Sequence, residues 1–312
     1  MSGYEPRASN SQQRHRRARR ERDARRAWRE LLEELGINSR FLGRDECDIT
    51  DAASIRCAID GWPIVVNCAA YTDVDGAEAF EDEATRINGE AVAVLGAACI
   101  ETGARLVHYS TDYVFNGQRD WAPATAPPYR TDEPRDPVNA YGRSKAVGES
   151  LLEPLIDSGK LDALIIRTSW VYAPWGKNFV LTIAKLASER DELTVVNDQY
   201  GRPTSALGLA ETTLTLLENL VEPGIWHATD GGRGTWFDFA TAIAEKTESG
   251  CVVKPCGSDQ FPRPAKRPAF SVLDLSETEE VIGPMSPWED RLDQVLIQAG
   301  LANKRRLRKA RK

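Results

Sequence analysis

At 312 residues, 41% hydrophobic and 28% charged, the chain has the composition of a globular protein with one large or two small domains. Its net charge of −7 conceals basic ends: nine arginines against Glu21 and Asp23 within 14–29, and seven Lys or Arg with no acid within 304–312. An acidic body between basic tails argues against a dedicated nucleic-acid binder, and the longest apolar stretch, 91–100, is too short to span a bilayer.

The N-terminus carries charge but no apolar core of a signal peptide. Six cysteines (47, 57, 68, 99, 251, 256) form no Cys-x-x-Cys pair, and several lie in apolar runs, as buried thiols of a reducing compartment do. None of the three histidines has metal-ligand spacing. These features predict a cytoplasmic protein with no metal site, no nucleic-acid partner and no membrane partner.

Residues 26–35 read as the end of a helix stopped by Gly36. A short strand is expected at 39–42. Thr50 or Asp51 can then cap a helix reaching about residue 60. Pro63 to Asn67 is an apolar run of buried-strand length, followed by a helix over 77–102. Arg105 to Tyr109 and Ala163 to Arg167 read as strands, separated by a helix that holds Tyr141 and runs to about 158. Strand and helix alternate, which predicts an α/β fold with a parallel sheet covered on both faces. Ligands bind such sheets beyond the carboxyl ends of the strands, where Asn67, Ser110 to Asp112 and Thr168 to Trp170 fall. From 173 on, segments shorten and gain Pro, Gly and Trp, with helices expected at 178–190, 206–219 and 236–247. Loops of this kind on a rigid scaffold commonly carry ligand contacts.

Tyr141 and Lys145, at i and i+4, share one face of a helix. A lysine ammonium one turn away favours the phenolate and brings a tyrosine towards useful proton exchange. The pair therefore suits a proton relay between a carbonyl and an alcohol, with Thr111 or Ser110 holding the substrate oxygen. Each candidate also has a structural reading. Asp112 and Asp48 can cap turns, Trp170 and Tyr172 can be core aromatics, and Asn178, Asn197 and Asp198 can satisfy loop backbone. Glu149, one turn beyond Lys145, can pair with it.

Several segments carry a resemblance: Asn67 to Glu78 (NCAAYTDVDGAE), Asn88, His108 to Phe115 (HYSTDYVF), Tyr141 to Lys145 (YGRSK), Arg167 to Tyr172 (RTSWVY), Asn178-Phe179 and Val196 to Thr204 (VNDQYGRPT). From about residue 31 to 298 the chain resembles the dTDP-4-dehydrorhamnose reductases of the extended short-chain dehydrogenase/reductase superfamily. The resemblance implies a Rossmann-like, doubly wound domain over 31–172 and a mainly substrate-binding domain over 173–300, some of whose segments return to the first. Residues 1–30 stand apart as an aberrant basic segment and 301–312 as a basic tail. It implies NADPH or NADH as cofactor, the C4 keto group of dTDP-4-dehydro-6-deoxy-L-mannose as substrate and dTDP-L-rhamnose as product, and it allows a bridging Mg2+ ion and a homodimer. By position, Thr111, Tyr141 and Lys145 would be catalytic. Asp48 and Ile49 would lie against the adenine, Ala70, Tyr71, Thr72 and Tyr109 along the cofactor, and Lys145 also on its nicotinamide ribose. Arg44 would accept a 2′-phosphate, which favours NADPH. Asp112, Trp170, Asn178, Asn197, Gln199 and Thr204, with Thr111, would face the sugar nucleotide.

One departure stands out. A dinucleotide fold opens on an apolar strand and a glycine-rich turn that lets the backbone reach a diphosphate. Here no glycine lies between Gly3 and Gly36, and residues 14–23 read RHRRARRERD. Bulky arginines adopt the required positive φ only at a cost. Either the cofactor site has been lost, leaving a non-catalytic regulatory or binding subunit like that of methionine adenosyltransferase, or the reading frame is shifted. The Arg- and Ala-rich composition suits a one-base slip in GC-rich DNA, where glycine codons become arginine and alanine codons. Another frame upstream of the Leu31 codon is then expected to encode an apolar strand and glycine-rich turn. Reading the nucleotide sequence in all three frames checks this, and a blank result would leave the lost-site reading standing. Nucleic-acid association through the basic tails is a third reading, separable by salt-dependent DNA binding of tail-deleted protein.

Overall fold

The computed structural model describes residues 23–119 and 125–302. The principal elements, in chain order, are α1 (Asp23–Glu34), α2 (Ala52–Ile59), β1 (Ile64–Asn67), α3 (Ala91–Thr102), β2 (Arg105–Thr111), α4 (Ala140–Asp157) and β3 (Ala163–Thr168). They are followed by α5 (Phe179–Glu189), β4 (Glu192–Val196), α6 (Ala206–Glu218), β5 (Gly224–His227), α7 (Trp236–Lys246), β6 (Val252–Cys256) and α8 (Trp288–Gln298).

Strands β1, β2, β3 and β5 form a parallel sheet in that order, with Asn67 opposite His108 and Thr111 opposite Thr168. Alternation along each strand sends side chains to two helical layers. Leu106 and Ile165 pack with Ile55, Leu95, Cys99 and Leu152 of α2, α3 and α4. Val107, Leu164 and Ile166 pack with Trp28 and Leu31 of α1 and Leu209 and Leu216 of α6. Each fully buried aliphatic side chain contributes ~1.5–3 kcal/mol of hydrophobic stabilisation, so both layers are needed to hold the sheet. A second body packs α5, α7 and α8 over the parallel pair β4 and β6, around Tyr172, Ile183, Phe239, Ile243 and Leu292. Helix α6 and strand β5 lie beyond residue 173 in sequence yet belong to the first body.

Two expectations about elements change. Residues 39–42 form no strand. Phe41 and Leu42 pack against opposite layers beside β1, and the Leu42 carbonyl accepts from Arg25 Nη1 at 2.7 Å. A strand exists only through a neighbour's ladder, and among the described residues nothing pairs with the outer edge of β1. Ile64, on that edge, is 44% exposed. The helix expected over 77–102 is also interrupted, with a π-type turn at Arg86–Glu90 before α3. There α4 comes so close that a Cβ on Gly89 would lie 2.7 Å from Val147, and the widened turn makes room for it. The expected site of the glycine-rich turn, 14–23, lies almost wholly outside the described residues.

Candidate active site

Helix α4 starts where two side chains take up its free amides. Asn139 accepts from the Gly142 amide at 2.7 Å, and Glu78 accepts from the Ala140 amide at 2.8 Å. This fixes the first two turns against the carboxyl end of β2. Tyr141 is half-buried, its ring edge-on to Tyr113 at 6.1 Å. One turn on, Lys145 is 1% exposed. Its Nζ donates to the Tyr109 carbonyl at 2.6 Å and lies 3.2 Å from His108 Nε2. The helix thus brings an accessible phenol and a buried amine to the same strand end.

Thr111 closes β2. Its Oγ1 donates to Asp112 Oδ1 at 3.0 Å and accepts from the Tyr113 amide at 3.2 Å. Asp112 is buried, and its Oδ2 has no hydrogen-bond partner. Burial pushes its carboxyl up to about 7 against the opposing hydrogen bonds from Ser271 and Thr111. The fold therefore favours the neutral acid. Stability from this group is complete below its unfolded value of 3.8 and is lost as pH rises towards about 7. Asp112→Asn, which cannot ionise, is expected to gain stability relative to the parent between pH ~4 and ~8. Urea midpoints at several pH values test this, and parallel curves would remove Asp112 as the cause.

Trp170 has a backbone φ of 46°, strained for a non-glycine residue. Its indole stacks on Trp236 with centroids 3.6 Å apart and planes 8° from parallel. A Cβ on Gly201 would sit 2.5 Å from the Trp170 ring, so only glycine leaves space there. Strand pairing places Thr204 beside Val171, where Thr204 is fully buried. Asn178 caps α5 through the Leu181 amide at 3.1 Å, and its Nδ2 binds the Ala173 and Trp175 carbonyls. Asn197 is exposed, and Gln199 donates to Ser258 Oγ at 2.8 Å.

On the cofactor side, Asn88 ties the 70–72 loop to α4. It accepts from the Tyr71 amide at 2.7 Å and donates to the Tyr71 carbonyl and to Ser144 Oγ. Ala70 is half-buried and Thr72 exposed beside it. Asp48 Oδ1 accepts from the Thr50 amide at 2.9 Å and the Thr50 hydroxyl at 2.8 Å, while the helix cap falls to Asp51. Ile49 is half-buried and Arg44 is exposed. The Tyr109 phenol turns to the opposite face of the sheet, bonded to Trp28 Nε1 at 2.9 Å and Thr213 Oγ1 at 3.0 Å. Only the Tyr109 carbonyl reaches Lys145.

The expected Glu149–Lys145 pair is replaced by another. Glu149, fully buried, binds Arg167 Nη2 at 2.8 Å, Arg135 Nη1 at 3.1 Å and the Ser110 hydroxyl. These groups hold its carboxyl below the ordinary range although burial alone would raise it. Glu149→Gln would strand the buried Arg167 charge and is expected to cost ~3–5 kcal/mol in denaturant unfolding. A loss under ~1 kcal/mol would show that the pair is dispensable.

Reading the sequence alone left several of these residues without a role: His108, Asn88, Trp236 and Ser271. Asn88 and His108 lie within the resembling segments but carry no spacing signal of their own. Trp236 reaches Trp170 from the second body, and Ser271 lies between Phe270 and Val272, which pack with Val114 and Phe115. Among the described residues, no group of three His, Cys, Asp or Glu could hold a metal ion, so a bridging Mg2+ finds no ready set of protein ligands there. No helix of the described residues is long and apolar enough to cross a membrane.

A parallel sheet wound on both faces, with a Tyr-x-x-x-Lys helix beside a threonine at the carboxyl edge, defines a Rossmann-type oxidoreductase of the short-chain dehydrogenase/reductase class. The family model described as the RmlD substrate binding domain matches residues 9–300, and the chain belongs to that family. It is 38% identical over 259 residues to a dTDP-4-dehydrorhamnose reductase of Mycolicibacterium smegmatis, covering 82% of this chain and 76% of that one. It is 40% identical over 260 residues to the Burkholderia thailandensis protein of the same name, covering 78% and 84%. A Bacillus anthracis dTDP-4-dehydrorhamnose reductase, solved in complex with NADP, superposes with a TM-score of 0.81 at 31% identity, covering 88% of this chain and 95% of that one.

Proposed function

We propose that this chain is an NAD(P)H-dependent dTDP-4-dehydrorhamnose reductase, which converts the C4 keto group of dTDP-4-dehydro-6-deoxy-L-mannose to the alcohol of dTDP-L-rhamnose. The observation that carries the reading is the convergence of Thr111, Tyr141 and buried Lys145 at one strand end, with the Lys145 Nζ held by the Tyr109 carbonyl. The described residues fit the nicotinamide end of such a cofactor: a half-buried phenol, and a fixed amine one turn below it with capacity for a ribose hydroxyl.

The reduced nicotinamide supplies the hydride. Tyr141 gives its proton to the developing alkoxide, and Thr111 hydrogen-bonds that oxygen. Lys145 holds Tyr141 in register and binds the ribose. Asp112 and Trp170 contact the sugar nucleotide, whose far side is shaped by Asn178, Asn197, Gln199 and Thr204. Arg44, Asp48, Ile49, Ala70, Tyr71 and Thr72 follow the cofactor.

The absence of any glycine between Gly3 and Gly36 favours a second reading: a non-catalytic subunit on the same fold. One experiment separates the two. Residues 1–22 are exchanged for an apolar strand and Gly-x-x-Gly-x-x-Gly turn, and the chimera is supplied with NADPH and the keto sugar nucleotide. NADPH consumption with formation of dTDP-L-rhamnose supports the reductase reading. A folded, NADPH-binding chimera that makes no product would sink it.

A further inference from the structure

The Trp170 indole is held on both faces. Trp236 lies nearly parallel to it, with centroids 3.6 Å apart and planes 8° from parallel. So short a centroid distance leaves little sideways offset, and Trp236 covers the middle of one face. A Cβ on Gly201 would lie 2.5 Å from Trp170 Cε2, 2.6 Å from Cζ2 and 2.8 Å from Nε1. An atom arriving in the ring plane would be closer to Nε1 or Cζ2 than to Cε2, which is recessed between them, so Gly201 stands over a face. It is the face opposite Trp236, since no Trp236 atom is among the three nearest to that Cβ. Neither face is left open for a base or a sugar to stack on.

Local pairing builds this slot. Tyr200–Gly201 pairs antiparallel with Gly234–Thr235, with Gly201 opposite Gly234. The next residue, Trp236, opens α7 behind a capping box of Thr235 and Asp238. One short ladder therefore fixes both jaws. Phe179, at the start of α5, backs Trp236 with centroids 4.6 Å apart. Trp170 keeps a φ of 46°, which a non-glycine residue holds only where its surroundings impose it. Both tryptophans are half-buried, unlike the core aromatics Tyr172 and Phe239, each 1% exposed. Among the described residues no group bonds Trp170 Nε1, and that atom is not buried. An indole N–H is a donor only, so its partner must be an acceptor oxygen or nitrogen.

We propose that Trp236 and Gly201 are positioning residues, which clamp Trp170 so that its Nε1–H edge, and not a ring face, meets an oxygen of the sugar nucleotide. The identity of the ligand rests on the reductase reading; the clamp does not.

The test is 1H–15N correlation of the tryptophan side chains in the whole protein, titrated with dTDP-L-rhamnose and, separately, with dTDP. Trp170→Phe identifies the Trp170 signal. That signal is expected to move downfield on titration, as a new hydrogen bond requires. Movement with both ligands places the acceptor on the nucleotide, and movement with dTDP-L-rhamnose alone places it on the sugar. Trp236→Leu keeps apolar bulk without a planar face, and Gly201→Ala pushes a methyl into the ring. Each is expected to weaken dTDP-L-rhamnose binding at least ~tenfold, about the worth of one hydrogen bond, whereas Trp236→Phe, which keeps a face, stays within ~threefold of the parent. Parent-like binding by Trp236→Leu and Gly201→Ala, or a Trp170 signal unmoved at saturation, overturns this inference alone. No binding by the parent chain overturns the reductase reading and the ligand assignment with it. Gly201→Ala, a change of one methyl, decides the matter if Trp236→Leu does not fold.

Discussion

Replacing Tyr141 by phenylalanine, in a form of the protein able to bind cofactor, is expected to lower kcat by ~10²–10⁴ with little change in cofactor affinity. The ring is held edge-on to Tyr113, and that packing survives the change. Only the hydroxyl is lost, and with it the proton for the C4 oxygen. Lys145, buried and bonded to the Tyr109 carbonyl, cannot swing out to replace it. Steady-state kinetics with NADPH and the keto sugar nucleotide measure the effect. Near-normal kcat would remove Tyr141 from the chemistry, and a large rise in KM at unchanged kcat would make it a binding residue.

The chain as it stands is expected to show no NADPH or NADH isotherm at ~100 μM by calorimetry. A cofactor diphosphate is normally met by backbone amides at a helix N-terminus, reached through glycines. Here Asp23 opens α1 among the described residues, and its carboxyl is raised to about 6 by burial, with Arg26 opposing. The residues before it contain arginines and no glycine after Gly3. Arginine side chains attract a diphosphate, but solvent screens that attraction and no fixed geometry sums it. Losing two or three aligned charge-assisted hydrogen bonds, each ~1.5–3 kcal/mol, weakens binding by at least ~10²–10⁴. The chimera with a glycine-rich turn should regain a micromolar isotherm. Micromolar binding by the unaltered chain would mean that its N-terminal segment builds a cofactor site by other means.

Much of the molecule was legible from local pattern. Apolar runs read as ending at Asn67, Tyr109 and Arg167 became adjacent parallel strands, two of which continue to Thr111 and Thr168, because a buried parallel strand must be apolar along its length. The spacing of Tyr141 and Lys145 required one helix face, and α4 supplies it. The missing glycines were plain from composition, since no other residue takes positive φ so cheaply.

Pairing and partners were not legible, because they depend on which elements lie side by side. The strand expected at 39–42 had a suitable composition but no neighbour to pair with among the described residues. Glu149 was one turn from Lys145, yet Arg167 from β3 and Arg135 claimed it, since a bidentate guanidinium satisfies a buried carboxylate better than an ammonium on the same helix. Tyr109 was expected along the cofactor, but strand alternation turned its phenol to the α1 face and left its carbonyl for Lys145. The sequence by itself determined the fold class, the shared Tyr141–Lys145 face of α4 and the lack of any glycine between Gly3 and Gly36, all read from local periodicity and composition. Only the tertiary structure decided which buried charges pair, which face Tyr109 takes and that His108 stands between Asn67 and Lys145, because those are contacts between residues 14 to 104 apart in sequence that no local pattern encodes.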